Sequence, residues 1–318
     1  MKNLAIIATC FIHALLYPTA GMAEPTVLSA KAETCTAQQE AYVPIAQRYE
    51  VGLFFKLEKC GHPDNYIMGT LHSDSPTLQP IYEDALTLIK KTSHVGFEFV
   101  EDANTALVAA QYMFTPVTQS KGLSDMLSTE QFALLSKELK ERLDIPQIGT
   151  NRMRPWAAAI TLQYPPPVAD GVTLDKRLQN AAQSMGKILF SIESPAEQFE
   201  IFASIPEDKQ LQMLIDTLGE VDGIDEANAL FMQNYVDRDL KAMHKFADAS
   251  FDMMTGLELR RYMEEKLIFE RNRIMANRLQ SYLNEGSSLT AIGALHLMGE
   301  TGILSEIEKS GWRVTTIH

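Results

Sequence analysis

Tyr66-Ile67-Met68-Gly69-Thr70-Leu71-His72 is matched, far along the chain, by Leu289-Thr290-Ala291-Ile292-Gly293-Ala294-Leu295-His296. In each, a short run of strand formers gives way to Gly-x-Leu-His, and a helix is expected just beyond. The first helix is predicted from about Pro80 to Lys91. Proline opens it, Glu83 and Asp84 come early, and Lys90 and Lys91 close it, the charge order a helix dipole favours. The second runs through Glu308 and leads to a last strand, Arg313 to Ile317. Strand, Gly-x-Leu-His and helix therefore occur twice, the histidines lying 224 residues apart. A βα unit repeated about a pseudo-twofold axis would bring the two imidazoles together. Nothing repeats at a period of about 20 to 50 residues, so a solenoid is excluded.

Outward from the first motif, Val51 to Leu57 is rich in β-formers and Glu58 to Asn65 carries turn residues, which predicts a hairpin delivering His72 at a strand end. Val95-Gly96-Phe97-Glu98-Phe99-Val100 reads as an apolar strand holding one carboxylate. Residues 101–164 read mainly as helices, and Pro165-Pro166-Pro167 breaks the chain. A helix over Leu174 to Ser184 precedes a strand, Ile188 to Glu193. Ser194-Pro195-Ala196-Glu197 then has the form of a capping box with proline at the first helical position. Residues 196–284 are again helical, and their methionines read as core filler. The expectation is one α/β domain over residues 24–318 carrying helical insertions at about 101–164 and 196–284.

Met1-Lys2-Asn3, the apolar run Leu4 to Tyr17 and the small residues ending at Ala23 have the order of a secretory signal peptide, which predicts export to the periplasm or beyond the cell with cleavage after Ala23. The run is shorter than the roughly 18 residues a spanning helix needs, and no later segment is long and apolar enough, so no stable membrane insertion is expected. Cleavage removes Lys2 and no acid, taking the formal charge from −13 to −14. That balance argues against nucleic acid as a partner. Of three cysteines, Cys35 and Cys60 remain after cleavage, and an oxidising compartment favours a bridge between them.

Ligands of α/β sheets sit beyond the carboxyl ends of the strands, where both motif histidines are expected. A single such histidine is commonly a buried imidazole capping the next helix. Two at matching junctions point instead to metal binding or general base chemistry. His62, His94, His244 and His318 lack that context and read as surface or incidental positions. Glu98 in an apolar strand needs a counter-charge or a cation. Arg271, on the apolar stripe of a helix near 262–284 with Ile268, Met275, Leu279 and Tyr282, needs an acceptor: Glu98, Glu193, Glu300 or a substrate carboxylate.

The two end motifs, Arg154-Pro155-Trp156 and Glu270-Arg271-Asn272-Arg273-Ile274-Met275-Ala276 resemble, from about residue 50 to 317, the TraB/GumN family, which is related to the Tiki metallopeptidases and more distantly to erythromycin esterases and ChaN-like haem-binding proteins. The resemblance implies a Tiki/erythromycin-esterase-like core with two βα repeats. Residue by residue, it assigns His72 and His296 as the motif histidines, Glu98 as the acid, and Arg271, Asn272 and Glu300 as accompanying polar positions. The implied function is that of an exported hydrolase of a peptide or other acyl bond, using a divalent Mn, Co or Zn ion held by His72, Glu98 and His296. Glu300 or Glu193 would serve as general base and Arg271 would steady a developing oxyanion. A non-catalytic protein sequestering a peptide, haem or metal is the alternative.

Overall fold

The computed structural model describes residues 49–317 except 117, 119, 120, 169, 170 and 253–255. The expected signal segment, its cleavage point at Ala23 and Cys35 lie outside the described residues. The elements follow in chain order: β1 (Phe54–Glu58), β2 (Asn65–Thr70), α1 (Gln79–Lys91), β3 (His94–Phe97), α2 (Ala103–Met113), α3 (Thr129–Leu143), α4 (Gln147–Arg152), α5 (Pro155–Gln163), α6 (Leu174–Ser184), β4 (Ile188–Ser191), α7 (Pro195–Ala203), α8 (Glu207–Gly219), α9 (Ile224–Val236), α10 (Leu240–Asp252), α11 (Leu257–Met263), α12 (Arg271–Glu285), β5 (Ser288–Gly293), α13 (Ile303–Lys309) and β6 (Arg313–Thr316). The protein is thus a mixed α/β fold, and both segments expected to be helical are so.

The six strands form one sheet in the order β4-β3-β5-β2-β1-β6. β2, β5, β3 and β4 are mutually parallel, and β1 alone runs antiparallel to both its neighbours. Every residue of β5 is buried, as a strand covered on both faces requires. At the far ends of β2 and β5, Asn65 locks the pair: its Oδ1 accepts from the Ser288 backbone N–H at 2.8 Å, and its Nδ2 donates to Leu283 O at 3.0 Å.

β2 and β5 are direct neighbours, with Gly69 opposite Ile292 and Thr70 opposite Gly293. The two Gly-x-Leu-His segments therefore leave the sheet side by side. Gly69 lies inside β2, and its φ is not positive, so it does not serve a turn. Its role is close approach: a Cβ there would stand 2.8 Å from Leu297 Cδ1 and 3.1 Å from Ala294 Cβ. The missing side chain lets the second motif's 3₁₀ turn, Ala294–His296, pack down on the first strand.

Two expected strands are shorter than read. β3 stops at Phe97 and β4 at Ser191, before Glu98 and Glu193. Beyond β3 the Glu98 carbonyl still accepts the Glu193 N–H at 2.7 Å, so the two acids are carried off the ends of neighbouring strands together. The helix expected near 262–284 is not uniform: a π-helical stretch, Glu264–Glu270, joins α11 to α12.

Candidate active site

Beyond the carboxyl ends of β2, β3, β4 and β5 the chain gathers most of the polar residues singled out from sequence. Glu98 follows β3 and Glu193 follows β4. Arg271 enters from the first turn of α12, 3 % exposed. Its Nη2 donates to Glu98 Oε2 at 2.8 Å and to Glu193 Oε2 at 2.7 Å, and its Nε reaches both Glu193 oxygens at 3.1 Å. Gln198, in the first turns of α7, donates Nε2 to both acids at 2.9 and 3.0 Å. Burial works against charge on Arg271, but the two carboxylates outweigh it and hold the guanidinium protonated. Arg271 thus takes both Glu98 and Glu193 from its four candidate acceptors.

Glu98 also faces the second motif, its Oε1 accepting the Gly293 N–H at 2.8 Å. An ionised carboxylate offers about four lone-pair directions. Three are occupied here, and the open one is on Oε1.

The histidines are held by different partners. His296 is fully buried. Asn272, beside Arg271 on α12, donates its amide Nδ2 to Thr301 O at 2.9 Å, which turns Oδ1 toward the His296 Nδ1, 2.5 Å away. Nδ1 must therefore carry the proton, and Nε2 is the acceptor nitrogen of the ring. Burial, then the nearby charges of Arg271, His244 and His72, keep this imidazole well below its usual pKa and neutral.

His72 is the opposite case. Its Nδ1 lies 2.9 Å from Asp175 Oδ2 in the first turn of α6. Burial opposes its charge, but Asp175, with Glu98 and Glu101 beyond it, raises the pKa to about 9. Glu101 is itself pushed up to about 7 by burial, against the pull of Lys176 and His72. Glu300 lies apart from this network, exposed in the turn after His296.

Four residues of this region were not singled out from sequence. Asp175 and Gln198 sit in first helical turns, where polar residues are unremarkable. Glu101 is one of two adjacent acids before α2. His244, read as incidental, stands on α10, which packs on the 3₁₀ turn bearing His296. Among the described residues, no three His, Cys, Asp or Glu side chains are already drawn together at metal-ligating geometry. Also among them, no helix is long and apolar enough to cross a membrane.

No curated protein and no solved structure matches the chain. A family model does, over residues 53–316, from the residue before β1 to the end of β6, and so across both histidine motifs, the two strand-end acids and the Arg-Asn pair that binds them. The chain belongs to the TraB/PrgY/gumN family.

Proposed function

We propose that this protein is an exported, divalent-metal-dependent hydrolase of a peptide or other acyl bond, built on a Tiki/erythromycin-esterase-like core with two βα repeats. The observation that carries the reading is the way the two histidines are prepared. Each presents Nδ1 to a fixed neighbour, Asp175 for His72 and Asn272 for His296. This is the arrangement by which proteins orient metal-binding imidazoles; Nε2 of neutral His296 has a lone pair for the cation, whereas Nε2 of His72 gives up its proton when the cation binds. With the open lone pair of Glu98 Oε1, the donor set is two imidazoles and one carboxylate oxygen. That set suits Mn, Co or Zn, provided the three side chains draw together on the ion.

A bound cation would lower the pKa of a water and polarise the acyl carbonyl. The chain's own groups do the rest. Asn272 fixes the His296 tautomer, and Asp175 orients His72. Arg271, whose Nε and Nη2 are committed to Glu98 and Glu193, holds Glu98 in place, which is a positioning role. Of the two bases considered from sequence, Glu193 shares that commitment and Glu300 keeps an unburied carboxylate. Glu101 is a third candidate, because a carboxyl with a pKa near 7 is matched to taking and returning a proton at neutral pH.

The deciding experiment is metal analysis of the purified mature protein, then a peptide-library cleavage screen with each metal restored. Metal-dependent cleavage, lost in His72→Ala and His296→Ala, is the expected result. Tight metal binding without turnover would favour the sequestering alternative. A protein that takes up none of the three metals would end the metal reading. Intact mass of the exported product checks cleavage after Ala23.

A further inference from the structure

His244 lies on α10 among side chains that face the core: Leu240, Met243, Phe246 and Ala247 are all buried. The helix packs against the Ala294–His296 turn. The His244 Nε2 is shut off from solvent and has no hydrogen-bond partner among the described residues. Burial lowers the ring's pKa to about 4, so it is neutral, and it lies close enough to His296 to disfavour charge there. A polar nitrogen taken out of water without a partner costs folding free energy that an apolar side chain of similar size would not. This half-buried imidazole, with its Nε2 shut off from solvent, is therefore a burden on the fold at the edge of the strand-end site.

We propose that His244 is a third imidazole of that site, and that its Nε2 hydrogen-bonds an oxygen atom of a hydrated divalent cation held by His72 and His296. The inference rests on the metal reading above. It makes the helical insertion a wall of the site, so that residues from three distant parts of the chain meet one ligand.

The test uses the full mature protein, Co²⁺ alone as probe, and two readouts: Co²⁺ affinity by titration calorimetry and thermal unfolding of the metal-free protein. His244→Leu and His244→Met should unfold at the same or a higher temperature than the parent, yet bind Co²⁺ about 10- to 100-fold more weakly, the usual effect of losing an outer hydrogen-bonding partner. His244→Gln, whose amide reaches about as far as Nε2, should bind within a few-fold of the parent. Unchanged affinity in the Leu and Met variants, with binding abolished in His296→Ala, would overturn the proposal and leave the metal site standing. Failure of both apolar variants to fold would also overturn it, because His244 would then be holding the core. Should the parent itself bind no Co²⁺, the metal reading falls and this inference with it.

Discussion

Arg271 and Asn272 are consecutive residues with separate tasks, one neutralising two acids and the other setting a tautomer, and substitution separates them. Arg271→Met leaves Glu98 and Glu193 buried with no counter-charge. Breaking a buried pair by removing one partner costs about 3–5 kcal/mol, so the midpoint of urea unfolding at pH 7 should fall accordingly. Asn272→Leu strands the His296 Nδ1–H and takes a donor from Thr301 O, but leaves no charge unpaired. It should lower stability less while weakening Co²⁺ binding about 10- to 100-fold, and Asn272→Asp, which keeps the acceptor, should retain most of the affinity. Equal affinities in the Leu variant and the parent would remove Asn272 from the site. The residues legible in the sequence share one property: each breaks a local pattern. His72 and His296 repeat, Glu98 interrupts an apolar run, and Arg271 sits on an apolar stripe. Asp175 obeys its pattern, an acid in the first turn of a helix. His244 likewise looks ordinary on an amphipathic helix, and only the packing of α10 on the His296 turn gives it meaning.

At the level of elements, helix boundaries followed the local chemistry closely. Ser194 and Glu197 make the reciprocal capping bonds expected of them, at 3.3 and 2.8 Å, with Pro195 in the first turn of α7. α6 spans Leu174–Ser184 as read. The π-helical stretch Glu264–Glu270 was invisible, because Glu264-Glu265-Lys266-Leu267-Ile268-Phe269-Glu270 contains only ordinary helix formers. It packs on α7 and runs directly into Arg271, and π turns recur at functional sites. Strand ends were overestimated for a related reason: Phe99 and Ile192 are apolar, but the chain leaves the ladder to pass Glu98 and Glu193 to Arg271. The contact between β2 and the second motif yields a prediction of its own. Gly69→Ala puts a methyl group 2.8 Å from Leu297 Cδ1 and against the backbone of Ala294, 3.2 Å from its Cα. Overpacking of this kind costs about 1–3 kcal/mol. Because the strain falls on the turn bearing His296, Co²⁺ affinity should drop along with the melting temperature. A melting temperature equal to that of the parent would contradict the close-approach role of Gly69.

Titrations of opposite sign are spread over the whole molecule, His72 and Glu101 raised, His244 and His296 lowered. His72 holds its proton to about pH 9 in the folded chain against 6.5 in the unfolded one, so its pairing with Asp175 stabilises fully below pH 6.5 and is lost as pH rises through 9. His244 stays neutral to about pH 4, so the unfolded chain takes up a proton first and stability declines as pH falls from 6.5 toward 4. Metal-free protein should therefore be most resistant to urea near pH 6.5. His244→Leu should make the acid limb shallower, leaving the part due to His296, and Asp175→Asn should flatten the alkaline limb. A bridge from Cys35 to Cys60 is checked by thiol titration of the denatured, unreduced mature protein: none is expected, and two free thiols would refute it. The order of the strands bears on how the molecule comes into being. β5 is among the last elements made, yet it inserts between β2 and β3, which are among the first. Until it arrives, those two strands present open edges able to pair with other chains. Contacts of such sequence separation also close slowly, because the entropy of a long loop is lost before the pairing energy is gained. A nascent chain emerging amino terminus first cannot complete its sheet until β5 has been made, so any chain cut short before Ser288 will have neither a continuous sheet nor a second motif histidine, and its first strands will stay open to mispairing.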